Sequence, residues 1–308
     1  MKIALSTNWC NRRLESGEEI ADTALALGFD ALELGFHTTR FQVQGFKARL
    51  DRMPVGSVHA FAPVPVSAPC GYPELYSLAA ADEDARGIAR VHVRRNLEFA
   101  AEMGADTVVL HAGRVPFSGF FRPSFDSVRL RERLVACGKK TDDPAYAKLL
   151  AKARRIRTAR GRKTLDVFKR ELDALLPDLE RLGVTLALEN LPYLEGFPDE
   201  DEMKALFETF GGAPVRAWFD TGHDRVRVAH GWTGPGFAAN PGMFAGMHLN
   251  DVHDLYDEHL PPGEGEVDFA ALRTFAAGLA HVVLEPGHGV PEENLRRGLA
   301  RIREIFAG

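Results

Sequence analysis

Four short stretches in the second half of the chain constrain its fold more than any other feature: LALEN (186–190), AWFDTGH (217–223), MHLND (247–251) and VVLEP (282–286). Each opens as an apolar run of strand character. Each closes on a residue that binds divalent metals: Glu189, Asp220 with His223, His248, and Glu285. A carboxylate or imidazole buried where an apolar strand stops carries a desolvation cost that a partner must offset. The same event on four consecutive strands is accounted for by one shared site.

Strand-like and helix-like segments alternate along the whole chain. Apolar and β-branched runs suit strands at 3–7, 31–35, 55–59, 107–111, 184–189, 215–220, 244–249 and 282–285. Apolar residues at helical spacing suit helices at 18–27, 44–52, 84–103, 163–182, 200–210, 268–277 and 292–306. Gly28, Gly104 and Gly183 stand just past three of those helix ends, where glycine stops a helix. Eight strands with helices between them in one continuous domain, residues 1–308, predict a closed (β/α)8 barrel of the α/β class. An open doubly wound sheet competes, but no GxGxxG turn follows the first strand.

Side-chain alternation then orients the site. With Glu189 facing the axis, period two also sends Ala187 and Thr185 inward, while Leu188, Leu186 and Val184 face the helices. The same count places His248 with Gly246, Asp220 with Trp218, and Glu285 with Val283 on the inside. Every candidate ligand then sits at the C-terminal end of its strand, where barrel enzymes keep their active sites.

Bulk properties narrow the function classes. The 308 residues, 45% hydrophobic and 26% charged, describe an ordinary globular protein. A net charge of -5 gives no global attraction to nucleic acid or anionic membrane. No apolar stretch approaches the roughly 18 residues of a membrane helix, and MKIALSTNWC reads as a strand rather than a signal peptide. Cys10, Cys70 and Cys137 lack CxxC spacing, so reduced thiols and a cytoplasmic location are expected. Residues 114–162 are too long for a simple βα connection and form a basic helical insertion after strand four. Two readings of it are open: a lid with a solvated basic face, or a cap that attracts an anionic substrate through residues such as Arg154, Arg155 and Arg157.

Further ligand types fall at matching places. His59 ends strand three, His111 ends strand four, and Asp257 with His259 lies in the loop after strand seven. With Glu189, Asp220, His223, His248 and Glu285 they make nine oxygen and nitrogen ligands without sulfur. Such a set suits one to three ions of Zn2+, Mn2+, Co2+ or Fe2+. Glu33, Trp218 and Arg216 are candidate substrate contacts, although Glu33 equally suits an internal salt bridge and Trp218 core packing. Phe117, Phe120 and Phe121 suit either a pocket wall or burial beneath the insertion. His37, His92, His230, His253, His281 and His288 fall outside the pattern and are assigned surface or local roles.

HLND followed by DEHLPPGEGEVDF, together with LEN, FDTGH and LEP, resembles the xylose-isomerase-like superfamily of TIM barrels. That superfamily includes sugar isomerases, ketose 3-epimerases and endonuclease IV-type apurinic-site endonucleases, and the likeness covers nearly all of the chain outside the insertion. Its isomerase and epimerase branch implies one metal on Glu189, Asp220, His248 and Glu285. There Glu189 and Glu285 would move a proton beside a metal-polarised carbonyl and hydroxyl of an open-chain sugar. Its endonuclease branch implies three zinc ions on all nine positions, activating water against a phosphodiester. Endonuclease relatives carry HAPY-like and HPG-like sequences after strands three and four, where this chain has HAFAP and HAGRV. The reading adopted is a metal-dependent sugar or sugar-phosphate isomerase or epimerase with a small carbohydrate as partner. The alternative is a multi-zinc phosphodiesterase acting on abasic DNA or another phosphoester, and only there is nucleic acid a partner. The carboxylates that could serve as acid and base argue against a silent binding barrel, and a homo-oligomer remains open.

Overall fold

The computed structural model describes residues 1–117, 127–233 and 241–307. Eight strands close a barrel: β1 (Ala4–Ser6), β2 (Ala31–Leu34), β3 (Val55–His59), β4 (Thr107–Leu110), β5 (Thr185–Glu189), β6 (Val215–Asp220), β7 (Phe244–Leu249) and β8 (His281–Leu284). They follow one another round the barrel in chain order, and every neighbouring pair is parallel. The helices are α1 (Gly17–Leu27), α2 (Arg40–Lys47), α3 (Glu83–Glu102), α4 (Ser127–Ala136), α5 (Pro144–Asp173), α6 (Leu176–Leu182), α7 (Glu200–Phe210), α8 (Thr221–Ala229), α9 (Arg273–Ala277) and α10 (Glu292–Ala307). The chain is the (β/α)8 barrel that its alternation predicts.

Helix boundaries depart from the sequence expectation where capping decides them. The helix expected at 44–52 begins at Arg40, because Gln42 Oε1 reaches back to accept from Thr39 N at 2.9 Å. The helix expected at 163–182 is two helices. The first starts at Pro144, where Asp143 Oδ1 accepts from Ala145 N and Tyr146 N at 3.0 Å each. Pro177, in the first turn of α6, starts the second. The helix expected at 268–277 shortens to α9. Helix α8 has no counterpart among the expected helices; Asp220 caps it through a 2.7 Å bond from His223 N to Oδ1.

Two layers of packing hold the site in place. Outside the barrel, Val184, Leu186 and Leu188 join the main apolar core against the helices. Inside, Ala4, Val109, Ala187, Trp218 and Val283 form a separate plug of packed side chains. Trp218 is fully buried there, and its ring lies against Gly246, where an added Cβ would sit 2.4 Å from Cζ3. Only glycine on β7 leaves room for that indole. The plug is the floor on which the strand-end ligands stand.

The insertion builds its own small core. Leu130, Leu134, Tyr146, Leu150 and Ala153 pack with Leu194, Trp232 and Leu255, which lie in the connections after β5, α8 and β7. Phe117 is buried in this cluster rather than in the cavity, while Phe120 and Phe121 lie outside the described residues. A Gly246→Ala substitution is expected to destabilise the barrel by about 1–3 kcal/mol, measured as a lowered urea midpoint with an unchanged slope.

Candidate metal centre

The ends of β5 to β8 place four ligands around one point. Asp220 pairs in register with His248, and His248 with Val283, so Glu285 stands two residues above its neighbour. Glu285 N donates to Leu249 O at 3.0 Å, fixing the first residue past β8. All four are buried: Glu189 is 1% exposed, Asp220 0%, His248 0% and Glu285 5%. His248 Nδ1 lies 3.2 Å from Glu189 Oε1, 3.1 Å from Glu285 Oε2 and 3.6 Å from Asp220 Oδ2.

Two further sets adjoin this one. His59 and His111 each bring Nε2 to 3.1 Å from Glu189 Oε2. His223 Nε2 lies 3.2 Å from Asp257 Oδ2, and His259 Nε2 lies 3.4 Å from Asp257 Oδ1. In each of the three sets the candidate donor atoms fall within 4.8 Å of one another. All nine ligand candidates therefore converge, with Glu189 common to two sets. Donors limited to carboxylate oxygen and imidazole nitrogen fit zinc, manganese, cobalt or iron and suit neither a thiolate site nor calcium.

The electrostatics are those of compensated burial. Burial alone raises the Glu189 carboxyl, but the imidazoles of His248 and His111 outweigh it and hold the group well below the carboxylate range. Burial pushes His248 down, and Glu285, Glu33 and Glu189 together carry it well above the imidazole range. His223 is likewise opposed by burial yet raised to about 10 by Asp220, Asp257 and Glu189. Asp220 goes the other way: its burial outweighs the neighbouring imidazoles and raises it. Metal-free, the centre is thus a lattice of imidazolium and carboxylate whose protons an ion must displace.

Supporting residues, most of them carrying no mark in the sequence pattern, orient these ligands. Glu33, fully buried on β2, sits 3.0 Å from His248 Nε2 and accepts from Ser57 Oγ at 2.8 Å, an internal partner that fixes the imidazole. Glu74 stands 3.8 Å from His111 Nδ1 and is itself held by Arg114 at 2.7 Å. The asparagines of LEN and HLND both serve Asp220. Asn190 bonds its backbone on both sides, at 2.7 and 3.1 Å, and Asn250 Nδ2 donates to its Oδ2 at 2.6 Å. Asp251, fully buried, accepts from the backbone of Val252, Gly263 and Val267 at 3.0, 2.8 and 2.9 Å. Those three bonds close the loop that carries Asp257 and His259.

Above the ligands lies a cavity of about 430 Å3 whose lining includes Arg12, Phe36, His37, Tyr72, Glu74, Tyr193 and His288, with Glu189 and Glu285 at its base. His37, half-buried, and His288, exposed, therefore both line the mouth of the site; the surface position expected for His288 stands, and what the sequence reading missed is that both border the cavity. They escape a sequence reading because they sit in loops, where no strand period marks orientation. Trp218 belongs to the plug below and does not line the cavity. Arg216 lies near the N-terminal end of β6, donating to Ala213 O and Val215 O at 2.8 Å with its guanidinium over Phe207, away from the mouth. In the insertion, Arg157 is 3% exposed and clamps Glu202 at 2.7 and 2.6 Å, while Arg154 donates to Gly231 O and Trp232 O at 2.5 and 3.2 Å. Arg155 is exposed, and no described residue of α4 or α5 lines the cavity.

The model of the xylose isomerase-like TIM barrel family matches residues 21–305. Among solved structures, a D-tagatose 3-epimerase-like protein superposes with a TM-score of 0.65 at 21% identity, covering 100% of this chain and 98% of that one. D-psicose 3-epimerase from Clostridium cellulolyticum, solved with D-tagatose, gives 0.64 at 15% identity and 99% coverage of each chain. A Thermus thermophilus protein soaked with ZnCl2 gives 0.59 at 22%, covering 99% of this chain and 97% of that one. No curated protein matches the sequence.

Because carboxylates hold protons on His111, His223, His248 and His259 in the metal-free centre, metal binding is expected to release them, and affinity should climb with pH from about 6.5 toward the His223 value of about 10. The same raised value stabilises the metal-free fold fully below the ordinary histidine range and loses that contribution as pH passes about 10. Calorimetric titration in buffers of different ionisation heat measures the release; binding without it would remove the histidines from the ligand set. Replacing Asp251 by Asn should loosen the loop and cost about one ion per chain by elemental analysis, with the Glu189 set still filled.

Proposed function

The chain belongs to the xylose isomerase-like TIM barrel family, and on that premise we propose that it is a divalent-metal-dependent isomerase or epimerase acting on a small carbohydrate. One observation carries the reading. Two buried carboxylates, Glu189 and Glu285, share a ligand set with Asp220 and His248 and also form the base of an open cavity. An ion held by that set supplies a Lewis acid for a carbonyl and its neighbouring hydroxyl.

The chain's own residues do the rest. Asn8 Nδ2 donates to Glu285 Oε1 at 3.2 Å and aims that carboxylate, which takes the proton from the carbon beside the carbonyl. Glu189 is assigned its return. Phe36, Tyr72 and Tyr193 present apolar faces to the C–H side of a sugar, while Arg12, His37 and His288 offer polar contacts to hydroxyls. Among the described residues Arg12 is the sole arginine of that lining. A cavity so composed suits a monosaccharide or its monophosphate and lacks the row of cations that a duplex backbone requires. Likeness to structures named as 3-epimerases supports the same reading.

A second reading, hydrolysis of a phosphoester by several zinc ions, is favoured by one specific observation. Glu189 meets His59 and His111 on Oε2 and His248 and His223 on Oε1, at 3.1, 3.1, 3.2 and 3.4 Å. Its two oxygens thus face different histidines, so His59, His111 and Glu189 on one side and Glu189, Asp220, His248 and Glu285 on the other would hold separate ions that could activate water.

A panel of aldoses and ketoses in deuterated water separates the two. The expected result is incorporation of one deuterium on carbon, abolished by chelation and lowered about 100-fold or more in Glu285→Gln. Full exchange by Glu285→Gln and Glu189→Gln proteins would remove the acid–base assignment. Chelator-sensitive cleavage of an abasic oligonucleotide, with no exchange on any sugar, gives the site to hydrolysis.

A further inference from the structure

Helix α3 carries an outer face that its own fold does not use. Asp84, Ile88, Val91 and Arg95 follow one another at helical spacing, which sets their side chains along one face, and all four are exposed. Ile88 is 52% exposed and Val91 44%. β-Branched apolar side chains on a wetted helix face favour neither the helix nor its solvation. Gly87 borders the same face, and glycine inside a helix costs stability that alanine would recover. Beyond the helix's own backbone nothing in the molecule requires it: an added Cβ would meet only Arg90 Nη2, at 3.9 Å. A missing side chain beside two exposed apolar ones suits the close approach of another helix. Val66, 80% exposed, widens the apolar strip from the cleft that His92 and Arg95 line.

Charge identifies the other helix. Arg86 and Arg90 pair with Glu171, and Arg94 pairs with Asp178. Among the described residues neither Arg95 nor Asp84 has an ion-pair partner. They stand at the two ends of the strip with opposite signs, and the apolar pair lies between them. Turned end for end, the strip complements itself. In an antiparallel pairing centred between Ala89 and Arg90, Asp84 meets Arg95 and Ile88 meets Val91, each twice. Glu98, the next exposed position on that side, then falls opposite Ala81 and meets no like charge. A two-fold contact has this requirement, because one patch must serve both sides. We propose that α3 is a dimerisation face whose partner is a second copy of this chain, packed antiparallel, with Asp84 paired to the partner's Arg95. No described residue of α3 lines the metal-site cavity, and failure of this contact would leave the reading of the metal centre untouched.

Sedimentation equilibrium of the full-length, metal-loaded protein measures the contact. A reversible monomer–dimer equilibrium is expected between about 1 and 100 μM. Val91→Asp places an unpaired carboxylate in the strip and should weaken the dimer about 100-fold or more. Asp84→Arg and Arg95→Asp each set like charges together and should weaken it about tenfold or more. The double variant Asp84→Arg/Arg95→Asp restores opposite signs with the polarity reversed, and its dissociation constant should return to within about threefold of the parent. That recovery is a readout that a folding defect would not produce, and every variant should keep the parent's metal content. A protein monomeric throughout that range would give the face to a different partner and overturn the proposal. A dimer that Val91→Asp leaves intact would place the contact elsewhere, and a double variant no tighter than the single ones would remove the antiparallel register.

Discussion

Glu189 is the group on which the rest of the site depends. A carboxylate at the end of an apolar strand, 1% exposed, persists only if neighbouring charge replaces the water it has lost. That replacement comes from four imidazoles on different elements: His59 from β3, His111 just past β4, His248 from β7 and His223 from α8. All four are buried, and on His111, His223 and His248 neighbouring carboxylates restore the charge that burial opposes. The cluster is therefore mutually conditional. Removing one member leaves others unpaired in a low-dielectric interior, where breaking a buried pair costs about 3–5 kcal/mol. The barrel geometry makes this possible, since parallel strands in register deliver their last residues to one level.

The supporting residues divide along the same lines. Glu33 and Ser57 act within the barrel, on neighbouring strands, and hold His248 from behind. Asn190 and Asn250 act one residue beyond the ligands and lock Asp220, which must also cap α8. Asp251 acts further out, through a loop. Its oxygens fill the space that a side chain at Gly265 would need, 2.5 Å from the position of an added Cβ, so glycine and aspartate there are one feature. Ligands at strand ends are placed by the sheet; Asp257 and His259 depend on this loop closure and on the bonds of His259 to the backbone of Glu285 and Gly287.

That distinction explains what could be read from the sequence. Residues 186–189 and 215–220 alternate on a strict period of two, so the inward set of Ala187, Glu189, Trp218 and Asp220 is legible from residue order alone. The plug and the ligand level follow that count. Helix ends are less legible, because capping by Gln42 and Asp143 shifts two of them. Cavity walls are least legible. His37, Tyr72, Glu74 and His288 sit on loops, whose backbone takes no repeating direction, and their convergence follows from tertiary closure. Arg216 shows the limit of the period argument itself. It shares the inward parity of Asp220 and Trp218, yet at the far end of β6 parity places it near the floor, where its guanidinium turns to Phe207.

The insertion illustrates how charge counted along a sequence misleads when burial is ignored. Its arginines read as a basic cap, but Arg157 is spent on Glu202 and on the carbonyls of Leu194 and Gly196 at 3.2 and 2.8 Å. Ser127, at the start of α4, binds Glu195 through both its backbone and hydroxyl, at 3.1 and 2.5 Å, and accepts from Leu194 N at 2.8 Å. Tyr146 donates to His230 O at 2.6 Å. Apart from the Glu202 pair, every one of these bonds ends on the connection after β5 or after α8. Leu255, two residues before Asp257, packs in the same apolar cluster as Tyr146. The described part of the insertion is therefore a buttress that stiffens the mouth from outside: it lines no part of the cavity, yet it fixes the loops on which the outermost ligands stand.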